Sequence, residues 1–116
     1  MQGWWGPKDT PRLLSRLVAG SHCFLLALRG GEPVGMGRAI SDGASDAYIQ
    51  DVMVLSSERG RGTGSAVVRA LAARLRKDGL RWIGLIAQDG SAPFYEKLSF
   101  KVLKRAQPML SRESHV

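Results

Sequence analysis

Three glycines and two arginines share one short stretch of this chain, Arg59-Gly60-Arg61-Gly62-Thr63-Gly64-Ser65. An apolar run, Val52 to Leu55, leads into it, and a pattern with helical periodicity follows. Glycine opens backbone conformations closed to other residues and lets a ligand approach the main chain closely. The first turn of a helix carries unpaired N–H groups and a partial positive charge. Strand, glycine turn and helix start together make a place for phosphate, and Arg59 and Arg61 add full charge at the same spot. Two familiar phosphate loops do not fit. A P-loop needs Lys and then Ser/Thr after its last glycine, where Ser65 and Ala66 stand. The dinucleotide fingerprint needs a further glycine at Ser65 and an acidic residue closing a second strand, but Asp78 falls in the last turn of the helical pattern.

Two side chains elsewhere could move a proton. Asp51 sits inside a run of apolar strand residues, an unusual place for a carboxylate. It either serves as a base or pairs with one of the many arginines. Tyr95 carries a phenol that stays protonated at neutral pH, with an ordinary pKa of about 10. It either donates to a departing group or rests half-buried beside Phe94 and Leu98. Glu32 and Glu58 read as turn residues, and His22 as a surface histidine. One cysteine, Cys23, and two distant histidines, His22 and His115, supply no metal site.

The elements that must position these groups follow from periodicity and turn chemistry. Met1–Asp9 is unpatterned and expected to be loose. Thr10-Pro11 starts a helix whose Leu13, Leu14, Leu17 and Val18 share a face and which Gly20 ends. Cys23–Arg29 reads as a strand, Gly30-Gly31 as a hairpin turn, and Pro33–Ser41 as the returning strand. Asp42-Gly43 turns into a third strand, Ala47–Leu55, so three strands form an antiparallel meander. The helix after the glycine loop runs over about Thr63–Asp78, with Val67, Val68, Leu71 and Leu75 inward and Gly79 at its end. Trp82–Ala87 is the next strand, parallel to the third through a right-handed crossover. Ser91 caps a short helix with Phe94, Tyr95 and Leu98. Lys101–Arg105 reads as a last strand.

Arg59, Gly62 and Gly64 write Arg-x-x-Gly-x-Gly, and Phe94–Phe100 writes FYEKLSF. Loop and second signature, at this spacing, resemble the GNAT superfamily of N-acetyltransferases. The resemblance covers roughly Phe24 to Leu103. It implies an α/β fold of the mixed-sheet α+β kind, GNAT-like and shortened at the N-terminus, in one domain over residues 1–116 with its core about 24–103. It implies acetyl-CoA as acyl donor, with the pantetheine arm against Met53 and Val54 and the pyrophosphate on the N–H groups from Gly60 through Arg61, Gly62, Thr63 and Gly64 to Ser65. It implies Tyr95 as the acid that protonates the departing thiolate, and puts Asp51 near the acidic group that many members use as base. The chain departs from the pattern in three places. Ser99 replaces the usual glycine before Phe100, Gln88 stands where many members have an asparagine on the pantetheine arm, and the usual front strand and helix find no room.

Composition bounds the alternatives. The chain has 116 residues, 44% of them hydrophobic and 23% charged, which suits one folded domain. No apolar run approaches a membrane span, and the front shows no signal peptide. The single cysteine points to a reducing compartment, the cytoplasm. The net charge of +7 fits a polyanionic cofactor, a solvated basic surface, or nucleic acid. Expected is transfer of acetyl from acetyl-CoA to a primary amine by direct attack, without a metal. The acceptor is left open among small molecule, peptide, antibiotic and aminoacyl-tRNA. The alternatives are a non-catalytic CoA-binding module and a small basic nucleic-acid-binding protein, which would have few aromatics for stacking bases. Cys23–Arg29 forms an unguarded sheet edge. Either the segment around Trp4 and Trp5 covers it or a second subunit does, and a twofold homodimer is the expectation.

Overall fold

The computed structural model describes residues 10–114. Met1–Asp9, with Trp4 and Trp5, and His115 lie outside the described residues. The chain divides into two compact units, the first ending at Leu85 and the second starting at Ile86.

The first unit opens with helix α1 (Pro11–Gly20). The Thr10 hydroxyl accepts from the Leu13 N–H at 3.1 Å, and proline fills the first helical position. Gly20 does not stop the helix by turning left-handed. It is the last helical residue, and the chain becomes extended at Ser21, whose hydroxyl donates to the Leu17 carbonyl at 2.7 Å. Strands β1 (Cys23–Arg29), β2 (Glu32–Ser41) and β3 (Asp46–Val54) form the expected antiparallel meander, and β4 (Trp82–Gly84) joins parallel to β3 in the order β1-β2-β3-β4. Gly30 and Gly31 make the first turn at φ 58° and 83°, left-handed values that β-branched or bulky residues resist.

Helix α2 (Thr63–Lys77) lies on β1, β2 and β3. Its stripe of Val67, Val68, Leu71, Ala72 and Leu75 is buried, and with Met36, Ala39, Ala47 and Ile49 it makes the core. Gly37 lets the helix come this close. A methyl group on it would lie 2.7 Å from Val67 Cγ1 and 2.8 Å from Leu71 Cδ1. The helix ends where the sequence places its stop. Gly79 takes φ 85°, its N–H donates to the Arg76 carbonyl at 3.0 Å, and the Leu80 N–H donates to Leu75 at 3.1 Å.

Two expected strands are corrected. The strand read over Trp82–Ala87 ends at Gly84, because its ladder with β3 stops at the pair Tyr48–Gly84. Apolar residues continue past that point, but a strand exists only where a neighbour takes its hydrogen bonds. In the second unit Lys101–Arg105 forms no strand. Val102 and Leu103 are more than half exposed, and the segment has no ladder among the described residues. That unit contains helix α3 (Ala92–Glu96), whose Tyr95 ring packs edge-on to Phe94 at 4.9 Å and to Phe100 at 6.0 Å.

Candidate functional site

Leu55 ties the end of β3 to β2 through its N–H, which donates to the Val34 carbonyl at 2.9 Å. A single 3-10 turn, Ser56–Glu58, follows, and Arg59 leaves it in an extended conformation. Gly60 and Gly62 both stand at φ 81°, and Gly62 is the N-cap of α2. Open space surrounds both Cα atoms, so glycine is required there by backbone conformation and not by crowding. The Gly62 carbonyl accepts from the Ala66 N–H at 3.0 Å. The N–H groups of Gly62, Thr63, Gly64 and Ser65 have no acceptor among the described residues. They form the anion-attracting end of a 15-residue helix. Thr63 contributes only its backbone here, because its side chain is buried over Gly35. Arg59 and Arg61 are exposed beside these groups.

Glu58 stands in the 3-10 turn, in keeping with its reading as a turn residue, but its burial and its partner Arg29 are not evident from the sequence. Glu58 is 6% exposed, and its carboxylate accepts from Arg29 Nε at 2.7 Å. Arg61 Nη1 lies 3.7 Å from its other oxygen. The one available signal was an acidic residue at the head of a cationic glycine run.

The same strand that feeds the loop also makes a fork. β3 pairs with β4 only from Asp46 to Tyr48, so Ile49–Val54 has no partner on that side among the described residues. That is about 20 Å of strand able to accept an extended ligand. Met53 and Val54 lie at its far end, half-buried and held from the other side by Met36 and Gly35. Between them and Tyr48 the ladder carries a bulge. Met36 faces Met53 and Arg38 faces Gln50, which leaves Asp51 and Val52 opposite Gly37 alone. Asp51 absorbs the extra residue at φ 55°, a left-handed value that Asp tolerates better than most. Its Oδ2 accepts from Arg38 Nε at 2.6 Å, and Arg38 also donates to Gln50 Oε1 at 3.1 Å and to Ser21 Oγ at 3.4 Å. The arginine partner weighed from sequence is therefore present, and it is Arg38.

In the second unit Tyr95 is half-buried, and burial pushes its phenol above the ordinary range. Gln88 is exposed, and its carbonyl accepts from the Ser91 N–H at 3.0 Å. Ser99 stands at φ 72°. The backbone there keeps the conformation that glycine would favour, although the residue has changed.

The acetyltransferase (GNAT) family model matches residues 2–100. A candidate acetyltransferase of known structure from Deinococcus radiodurans R1 superposes with a TM-score of 0.73 at 35% identity, over 97% of this chain and 76% of that one. Serotonin N-acetyltransferase 2, chloroplastic, from Oryza sativa subsp. japonica is 41% identical over 70 residues, 60% of this chain and 35% of that protein. Glucosamine 6-phosphate N-acetyltransferase from Trypanosoma brucei brucei is 36% identical over 77 residues, 66% of this chain and 44% of that one. The chain thus spans less than half the length of these two curated relatives.

Proposed function

This chain belongs to the acetyltransferase (GNAT) family, and on that premise we propose that it transfers an acetyl group from acetyl-CoA to a primary amine by direct attack. The observation that carries the reading is the pair of left-handed glycines, Gly60 and Gly62, opening the unpaired N-terminus of α2 beside the freed end of β3. Acetyl-CoA would lay its pyrophosphate on the loop from Gly60 to Ser65, chiefly on the unpaired N–H groups of Gly62 to Ser65 because the Arg61 N–H is taken by the Glu58 carbonyl, with the Arg59 and Arg61 side chains balancing the charge. The pantetheine arm would add to β3 at Met53 and Val54, with Gln88 as a further amide for it.

Tyr95 is the proposed acid. Burial raises its pKa, so the phenol is protonated at neutral pH and has a proton to give the departing thiolate, although the raised value makes it a weaker donor. Asp51 is the proposed base. With Oδ2 engaged by Arg38, the amine proton would go to Oδ1, directly or through one water. The family model runs across both compact units, which supports reading the whole chain as one functional domain. No described helix is long and apolar enough to cross a membrane. The single cysteine favours the cytoplasm, although the rice relative is named as chloroplastic. A homodimer through β1 is proposed because, among the described residues, β1 is the sheet's edge and exposes Leu26 and Leu28.

The test is release of CoA from acetyl-CoA across a panel of amines that includes serotonin and glucosamine 6-phosphate, followed with a thiol reagent. Cys23 is buried and its thiol is pushed up mainly by that burial, so the enzyme-only blank stays low. Amine-dependent CoA release supports the reading. Binding of acetyl-CoA with no release for any amine would favour the non-catalytic module.

A further inference from the structure

A buried carboxylate beneath a phosphate loop is at first sight misplaced, because it repels the ligand the loop attracts. Glu58 is nevertheless 6% exposed and directly precedes Arg59. Its burial requires compensation by charge and hydrogen bonds. Arg29 supplies the tight partner from the last residue of β1, with Nε donating to Oε1 at 2.7 Å. The second oxygen is left for Arg61, whose Nη1 lies at 3.7 Å. The Arg61 N–H also donates to the Glu58 carbonyl at 3.3 Å. Both ends of Arg61, main chain and guanidinium, are thus referred to one residue.

That reference matters because Arg61 sits between two left-handed glycines, the most permissive backbone in the loop. An arginine there would otherwise sample many directions, and ordering it on ligand binding would cost affinity. We propose that Glu58 is a positioning residue that acts through Arg61, aiming its guanidinium at the diphosphate of acetyl-CoA before the cofactor arrives. This rests on the reading of the loop as the acetyl-CoA site. Glu58 is fixed by β1 through Arg29 and by the preceding turn, where its N–H donates to the Leu55 carbonyl at 2.8 Å. Arg61 is 58% exposed and keeps donors free, since one carboxylate cannot occupy the whole guanidinium.

Glu58→Gln keeps an acceptor for Arg29 and removes the charge that holds Arg61. Its KM for acetyl-CoA is expected to rise about tenfold, with kcat within about twofold of wild type. The decisive readout is a double-mutant cycle with Arg61→Met. If Glu58 acts through Arg61, Glu58→Gln adds nothing further in the Arg61→Met background, whereas a merely structural Glu58 gives additive losses. Additive losses, or an unchanged KM in Glu58→Gln, overturn the proposal. Should Glu58→Gln fail to fold, Glu58→Asp decides, because it keeps the charge and draws the carboxylate back by one methylene. A KM raised by Glu58→Asp in the wild-type background but not in the Arg61→Met background supports orientation by Glu58, and a wild-type KM refutes it. Wild-type protein that does not bind acetyl-CoA at all overturns the cofactor reading, and the role of Glu58 with it. Wild-type binding with an unaffected Glu58→Gln overturns the role alone.

Discussion

Gly37 connects the core to the candidate site, and Gly37→Ala tests that connection. The added methyl would stand 2.7 Å from Val67 Cγ1, 2.8 Å from Leu71 Cδ1 and 3.5 Å from Val52 Cγ2. Leu71 can rotate its terminus, but it is fully buried and has little free volume to enter. Val67 is stiff at χ1 in a helix and 4% exposed, so the helix must lift instead. Overpacking of this kind costs about 1–3 kcal/mol. Replacing a strand glycine by alanine returns about 0.5–1 kcal/mol of backbone entropy. The expected net loss is therefore about 0–2.5 kcal/mol, centred on about 1 kcal/mol. For a chain of this length each kcal/mol lowers the thermal midpoint by about 4 °C. Differential scanning calorimetry of wild type, Gly37→Ala, Val67→Ala and the double variant separates crowding from other causes. If the clash is real, the double variant loses less than the sum of the singles by at least about 1 kcal/mol. Gly20→Ala is the control. Nothing lies within 4 Å of its added methyl, so the midpoint should hold or rise slightly. Additive losses in the double variant would refute the close approach of α2 to β2.

Three further outcomes are expected. Ser99→Gly should raise the thermal midpoint, because φ 72° costs a residue with a Cβ about 1–2 kcal/mol, and an unchanged midpoint by differential scanning fluorimetry would mean the serine is unstrained. Tyr95→Phe should lower kcat at least about a hundredfold with acetyl-CoA affinity kept, and wild-type kcat in steady-state assays would remove Tyr95 as the acid. The Asp42 carboxyl, fully exposed, is held down to about 2, first by the Ser45 N–H and then by the Ala44 N–H. A depressed carboxyl stabilises the fold above its unfolded value near 3.8 and loses that contribution as pH falls through about 2. Carbon-detected NMR should give a titration midpoint near 2 for Asp42, and a midpoint near 3.8 would show that the turn does not engage it.

What the sequence made legible was local. The glycines at 30, 31, 60, 62 and 79 all sit at left-handed φ, because each marks a turn or helix end that few other residues tolerate. The α2 stripe was legible through its 3.6-residue period, and the meander through its two turns. The missed features depend on partners distant in the chain. Glu58 is buried because Arg29 reaches it from another strand. The bulge at Asp51 needs the register of β2 against β3, which no window of sequence contains. Leu85–Ala87 and Lys101–Arg105 have strand-like residues, but strand identity belongs to the ladder and not to composition. Ser99 was legible as a departure from the family pattern, and its left-handed backbone gives that departure a physical meaning.

Calorimetric titration of acetyl-CoA into wild type and Gly62→Val tests most directly whether the loop is the phosphate site. Valine at φ 81° is strained although no protein atom crowds its Cβ, so the substitution alters the loop's backbone while leaving the buried face of α2 untouched. Binding to wild type is expected, with affinity lost in Gly62→Val while the protein remains folded by circular dichroism. Equal affinity in the two proteins would contradict the assignment of the Gly60–Ser65 loop to the cofactor.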